Sequence, residues 1–330
     1  MTLALDSLYR PQDTSKTGAP PDLREGTGMT TTTPEAIEPG PAPGSERLRA
    51  AVELLKPITW FPPMWAFACG AVSAGVGWDA RLGLAMGGIA LAGPLLCGGS
   101  QVVNDWFDRE VDAINEPDRP IPSGRAPGRF ALWMAIGWSL LALAVAALFG
   151  RWVLAASTLG VALAWAYSAP PLRLKRNGWI GNSAVALSYE GLAWITGAAV
   201  VLGGALPDPR ILLVALLYSI GAHGIMTLND FKSVDGDRLM GIGSLPARLG
   251  VARAARIACV MMVAPQLVVI ACVTAWSGGR AAAPIAAVVA LQLACMPRLL
   301  RAPRDQAAWY NATGVTLYVT GMMVCAWALR

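Results

Sequence analysis

Long apolar runs separated by short, charged connections set the pattern of this chain. Runs of about 17–23 residues fall at 58–77, 81–103, 130–149, 151–168, 181–203, 210–228, 254–276, 281–297 and 308–328. At 1.5 Å of rise per residue each is long enough to cross a bilayer as a helix. None shows the alternation of a transmembrane β-strand. The pattern therefore predicts an all-α membrane protein with nine spans. Only Gly150-Arg151 separates the third and fourth, so their turn is tight. Gly87-Gly88, Gly98-Gly99 and Gly203-Gly204 suit places where helix backbones approach closely.

Composition agrees. Hydrophobic residues make up 55% of the chain and charged ones 14%, against about 25% charged in soluble proteins. Residues 1–45 differ: they are rich in Pro, Gly and Thr and read as a disordered cytoplasmic tail ahead of a transmembrane domain over 46–330. No basic stretch followed by an apolar one opens the chain, so a cleaved leader is not expected. Lys and Arg concentrate in alternate connections. Arg47, Arg49 and Lys56 precede the first span; Arg109, Arg119, Arg125 and Arg129 follow the second. Arg173, Lys175 and Arg176 follow the fourth, and Lys232, Arg238, Arg248, Arg253 and Arg256 the sixth. The positive-inside rule makes this set cytoplasmic. The net charge of +5 comes from that bias and gives no reason to expect nucleic acid.

Two of these basic connections also carry acids. The second run ends in Asn104-Asp105-Trp106-Phe107-Asp108-Arg109-Glu110-Val111-Asp112. On a helix Asp105, Asp108 and Asp112 fall within roughly a 60° arc, with Asn104 beside them. The sixth run ends in Asn229-Asp230-Phe231-Lys232-Ser233-Val234-Asp235-Gly236-Asp237. Aligned on Asn-Asp, Asp230 matches Asp105, Ser233 matches Asp108 and Asp237 matches Asp112, as in an internal repeat. Asp235 is an extra acid that points off the shared face unless the helix breaks at Gly236. Solvated loop acids balanced by arginine would explain one such cluster; two with matched spacing at the ends of apolar spans argue for a bound cation.

Hard oxygen donors without nearby His or Cys favour Mg²⁺, with Asp105, Asp108, Asp112, Asp230, Asp235 and Asp237 as candidate ligands. Two such sites can grip a diphosphate from opposite sides. Asn104, Arg109, Arg119, Lys175, Asn229, Lys232 and Arg238 are the candidate partners of its oxygens. Mg²⁺ would make the diphosphate a better leaving group, and an apolar tunnel would hold the lipid chain attached to it. His223 lies in the sixth span; it is read as a satisfied intramembrane histidine, with contact to an acceptor as the lesser alternative. The six cysteines, all in apolar runs and without a CxxC pair, read as small buried side chains.

NDWFDREVDAINEPDRPIPSGR (104–125) resembles the first aspartate-rich motif of the UbiA-type intramembrane prenyltransferases. YSAPPLRLKRNGW (167–179), SYEGLAW (188–194) and NDFKSVDGDRLMGIGSLPARLG (229–250) agree, and resemble the chlorophyll and bacteriochlorophyll synthase branch. The resemblance covers roughly 50–330. It implies a UbiA-type nine-helix bundle with a central cavity opening at the cytoplasmic side of the inner or photosynthetic membrane. It also implies a geranylgeranyl or phytyl diphosphate donor and a bacteriochlorophyllide or chlorophyllide acceptor, esterified at a propionate. Lys232-Ser233-Val234 with LPARLG leans toward bacteriochlorophyllide. The resemblance further implies pigment-protein assembly factors as partners. A quinone or haem prenyltransferase is the alternative within the family. A cation-coupled transporter is the alternative outside it, although its acids would sit nearer the midplane.

Overall fold

The computed structural model describes residues 44–330, so all but two residues of the expected tail lie outside the described residues. The regular structure is helical. It comprises α1 (Gly44–Leu54), α2 (Phe61–Ser73), α3 (Ala80–Ala90), α4 (Gly98–Asn115), α5 (Phe130–Leu148), α6 (Arg151–Ser168) and α7 (Gly178–Ala186). It continues with α8 (Ala193–Val201), α9 (Pro209–Asn229), α10 (Val234–Leu239), α11 (Leu245–Leu249), α12 (Val251–Ser277), α13 (Gly279–Arg301) and α14 (Pro303–Leu329). Seven rods are long and apolar enough to cross a membrane: Ala80–Asn115, Phe130–Leu148, Gly178–Val201, Pro209–Lys232, Val251–Ser277, Gly279–Arg301 and Pro303–Leu329. The other two apolar runs also form helices. However, α2 has only 13 residues, and the 18 of α6 are diluted by Arg151, Ser157, Thr158 and Ser168. Length and apolarity thus support seven of the nine expected spans.

Two rods contain a wide, π-type turn: Leu91–Cys97 between α3 and α4, and Leu187–Leu192 between α7 and α8. Pro94 accounts for the first. It has no N–H to donate and its ring crowds the carbonyl one turn back, and a widened turn relieves both. The helix then continues through Asn115, which carries the first acid cluster on a helical face.

Helix contacts rely on missing side chains. A Cβ on Gly70 of α2 would stand 1.9 Å from the Trp194 carbonyl oxygen, and one on Gly197 of α8 would stand 2.0 Å from that of Phe67. On α9, a Cβ at Gly224 would lie 2.4 Å from the Ala258 carbonyl oxygen of α12. Packing, rather than water exclusion, joins helices in lipid, and such close approach maximises it. Around this seam the Trp194 and Tyr218 rings stack at 5.6 Å, and Tyr318 meets Tyr218 edge-on at 5.4 Å. Their polar tips are satisfied. Trp194 Nε1 donates to Ser73 Oγ (3.1 Å), Tyr218 Oη to the Gly321 carbonyl (3.0 Å) and Tyr318 Oη to the Tyr218 carbonyl (2.5 Å).

Replacing Gly70 or Gly197 by valine should cost at least about 1–3 kcal/mol through overpacking. Thermal unfolding of the purified protein in detergent checks this. Melting at the parental temperature would show that α2 and α8 do not meet backbone to backbone.

Candidate active site

The C-terminal half of α4 presents its acids to three separate connections. Asp105 is 2% exposed and Asp112 8%, while Asp108 is partly buried. Lys56, between α1 and α2, puts Nζ 2.6 Å from Asp105 Oδ1. Its backbone sits in the left-handed region (φ 45°), unusual for a non-glycine residue. From the connection after α4, Arg119 Nη1 lies 2.8 Å from Asp112 Oδ2 and 3.5 Å from Asp105 Oδ1, with Nε 2.6 Å from Glu116 Oε2. From the connection after α6, Lys175 Nζ pairs with Asp108 Oδ1. Asn104 Nδ2 donates to Asp108 Oδ2 at 2.9 Å and lies 3.4 Å from Ser168 Oγ.

Burial pushes the Lys175 ammonium below the ordinary lysine value, and Asp108 opposes that shift. For Arg119 burial also works against the charge, but hydrogen bonding to Glu116 and the fields of Asp105 and Asp112 hold its value up. Arg109 turns away. Nη1 donates to its own helix at Trp106 O (2.8 Å) and the guanidinium lies 4.4 Å from the Trp106 ring centre. The ring captures it, and the structure does not bring Arg109 into the cluster.

The second cluster is held differently. Asp230 Oδ2 accepts from Asn182 Nδ2 of α7 at 3.0 Å. Asp237, 7% exposed, accepts at Oδ2 from Ser244 Oγ (2.5 Å) and Ser233 Oγ (3.1 Å). Asn229 Oδ1 accepts from Asn311 Nδ2 of α14 at 3.2 Å. The helix does not break at Gly236, so α10 carries Asp235 outward. There Asp235 pairs with Arg304 and lies 3.9 Å from Arg238, and the hydrogen bond from Arg304 holds its carboxyl below the usual range. Arg238 also faces out, with Nε 3.4 Å from the Ala247 carbonyl. Asp235 and Arg238 are therefore separated from Asp230 and Asp237.

A short backbone ladder ties the two clusters. Gly243 N donates to Arg176 O and Gly178 N donates to Gly243 O, both at 2.9 Å. A Cβ on Gly178 would lie 2.7 Å from Leu245 N, so glycine is required for this approach. Lys175 and Ser244, which serve opposite clusters, therefore come from connected segments.

A cavity of about 530 Å³ is bordered by Asn104 of the first cluster and by Asn229 and Asp230 of the second, while Asp105, Asp108, Asp112 and Asp237 lie outside its lining. Its polar end is formed by Asn104, Tyr167, Asn182, Asn229, Asp230 and Lys232, and much of the remaining wall is apolar, including Leu96, Leu163, Val185 and Leu192. Among the described residues no three His, Cys, Asp or Glu side chains are gathered so as to hold a metal ion by themselves. That donor set still fits Mg²⁺, which is commonly held by one or two carboxylates together with substrate phosphate.

The sequence marks Lys56 only as part of the basic set before the first span, and nothing local in it singles out Ser168, Asn182 or Ser244. Their roles depend on contacts across 49, 64, 48 and 7 positions. His223 is buried and stacks on Trp179 at 5.2 Å, away from the cavity lining. Cys97 is buried, as expected, and also lines the cavity, with Sγ 3.3 Å from Tyr189 Oη.

Residues 59–320 match the UbiA prenyltransferase family. The bacteriochlorophyll synthase 33 kDa chain of Cereibacter sphaeroides is 54% identical over 282 residues, covering 86% of this chain and 93% of that one. The chloroplastic chlorophyll synthase of Oryza sativa subsp. japonica is 42% identical over 208 residues, covering 60% and 54%. A UbiA homologue from Archaeoglobus fulgidus, solved bound to DMAPP and Mg²⁺, shares the fold with a TM-score of 0.65 at 20% identity, over 84% of this chain and 99% of that one. Two matched acid clusters, which border one largely apolar cavity through Asn104 and Asp230, in a chain matched over most of its length, make this protein a member of the UbiA prenyltransferase family and an integral membrane protein.

Proposed function

We propose that this chain is a bacteriochlorophyll synthase, esterifying a propionate of bacteriochlorophyllide with geranylgeranyl or phytyl diphosphate and releasing diphosphate. The observation that carries the chemistry is the shared cavity wall: Asn104 of one cluster and Asp230 and Lys232 of the other border one apolar space. Similarity to the Cereibacter sphaeroides chain supports the choice of acceptor. In this reading α2 and α6 complete a nine-helix bundle. The cavity opens at the cytoplasmic face, where the Arg- and Lys-rich connections gather.

Asp105, Asp108 and Asp112, with Asp230 and Asp237, would hold Mg²⁺, which neutralises diphosphate charge and improves it as a leaving group. Lys56, Arg119 and Lys175 already sit on the first cluster and can share their hydrogen bonds with phosphate oxygens. Lys232 and Asn229 face the cavity from the other side. Leu163, Val185 and Leu192 exclude water from the prenyl chain, so that a developing allylic cation meets the intended nucleophile. A carboxylate is already anionic at neutral pH and needs no general base.

Membranes supplied with geranylgeranyl diphosphate and Mg²⁺ should esterify bacteriochlorophyllide, use chlorophyllide weakly or not at all, and leave 4-hydroxybenzoate unprenylated. Prenylation of the benzoate ring would move the chain to quinone chemistry.

Asp108→Asn and Asp237→Asn should each lower turnover at least on the order of a hundredfold, by removing a charged ligand. Asp235→Ala should stay within about twofold, because its partners are surface arginines. A severe loss in Asp235→Ala with a mild one in Asp237→Asn would reverse the assignment of the second cluster.

Orientation is tested by single cysteines in a cysteine-free background. One at Ser123 should be blocked by reagents on the cytoplasmic face only, and one at Asp208 from the opposite face only. Labelling of both from the same side would refute the nine-span count.

A further inference from the structure

The two wide turns touch at the cavity wall. Cys97 closes the first and Tyr189 belongs to the second, with Sγ and Oη 3.3 Å apart. Gln101 Nε2 donates to the same Tyr189 oxygen at 2.9 Å. The thiol also lies 3.4 Å from the Thr59 carbonyl, and its single proton serves one partner at a time. Both hydrogen bonds recorded at Tyr189 Oη bring a proton to it, from the Cys97 thiol and from Gln101 Nε2, which leaves its own phenolic proton to be donated elsewhere. A carboxylate would be a strong acceptor for it. Cys97, Ser100, Gln101 and Tyr189 all line the cavity.

Their position relative to the acids is set by the helix. Cys97, Gln101 and Asn104 occupy one face at i, i+4 and i+7. Gln101 lies four residues before Asp105, about 6 Å along the axis. With a diphosphate at the acid end, the prenyl carbon bonded to it comes to the level of Gln101 and Tyr189. The nucleophilic oxygen has to approach that carbon to about 3–3.5 Å. An anionic nucleophile among apolar walls loses its hydration and needs donors in exchange. The Tyr189 network supplies a hydroxyl and contains no acid to repel the anion.

We propose that Tyr189, oriented by Gln101 and Cys97, donates its phenolic hydrogen bond to one oxygen of the acceptor carboxylate and so holds the other at the prenyl carbon. This rests on the function proposed above. In the step, a lone pair of the second oxygen forms the C–O bond of the ester. The bond from that carbon to diphosphate breaks, and its electron pair leaves with the diphosphate. No proton moves; the tyrosine remains protonated throughout. Tyr189 contacts the acceptor, whereas Gln101 and Cys97 act through Tyr189 as positioning residues.

The test compares the parent chain with Tyr189→Phe and Gln101→Leu in steady-state kinetics and in binding of two ligands, bacteriochlorophyllide and its propionate methyl ester. Tyr189→Phe should raise the KM for bacteriochlorophyllide, or lower its kcat/KM, on the order of tenfold to a hundredfold. The KM for geranylgeranyl diphosphate should stay within about twofold, since its charge is bound elsewhere. Gln101→Leu should act in the same direction and less strongly, and it keeps the tyrosine if Tyr189→Phe fails to insert. The parent should bind the free acid more tightly than the methyl ester, and Tyr189→Phe should bind the two alike. A preference for the acid retained in Tyr189→Phe, or a defect confined to the prenyl donor, would overturn the proposal. A parent chain that forms no pigment ester would instead count against the proposed function itself.

Discussion

Three carboxylates on one face of a helix that begins inside an apolar bundle cannot stand unpaired, and much of the polar end is arranged around that constraint. Lys56, Arg119 and Lys175 each come from a different connection, and each ends on α4. Removing one partner of a buried pair costs about 3–5 kcal/mol, because the remaining charge is left unanswered. The acids therefore hold three connections in place as much as the connections hold the acids. The Arg176–Gly243–Gly178 ladder passes this order to the second cluster, since it fixes Gly243 one residue from Ser244, the partner of Asp237.

The two halves of the repeat solve the same charge problem in different ways. In the first, ammonium and guanidinium groups answer the acids directly. In the second, Asp230 and Asp237 are answered chiefly by amide and hydroxyl dipoles from Asn182, Ser233 and Ser244, with Lys232 nearby. Dipoles orient a carboxylate without cancelling its charge. An incoming cation would thus find the second cluster ready. At the first it would displace lysine and arginine contacts, which are then available to phosphate. The substitution of Ser233 for an acid fits this division, because its hydroxyl steers Asp237 rather than adding charge.

What could be read from the sequence depended on the range of the interaction. Apolar runs report a local property, and every one of them is a helix; the shortness of α2 was hidden because hydropathy continues past Ser73 where the backbone does not. The acid spacing is also local, and Asp105, Asp108 and Asp112 do share a face. Asp235 was misread because Gly236 permits a break that the helix does not take. Arg109 was misread because the neighbouring Trp106 ring competes for its side chain. The pairings of Lys56, Ser168 and Asn182 are not legible in the sequence, since their partners lie 48 to 64 positions away.

The wide turns show how a rigid scaffold can present chemistry from the middle of a helix. A regular helix spends its backbone groups on itself, whereas a widened turn shifts the phase of the side chains that follow it. Pro94 enforces the first turn. No proline accounts for the second, so tertiary contacts have to stabilise it. The contact at its end is the closest glycine approach among the described residues, Gly70 against the Trp194 carbonyl. That contact fixes the start of α8 against α2 just beyond the turn, while the Trp194–Tyr218 stack fixes it against α9. Tyr189 is thus held between two anchored helical segments, and its hydroxyl meets Cys97 and Gln101 without a flexible loop. The same glycine seam that packs the bundle in lipid therefore also sets the position of a polar group in the cavity wall.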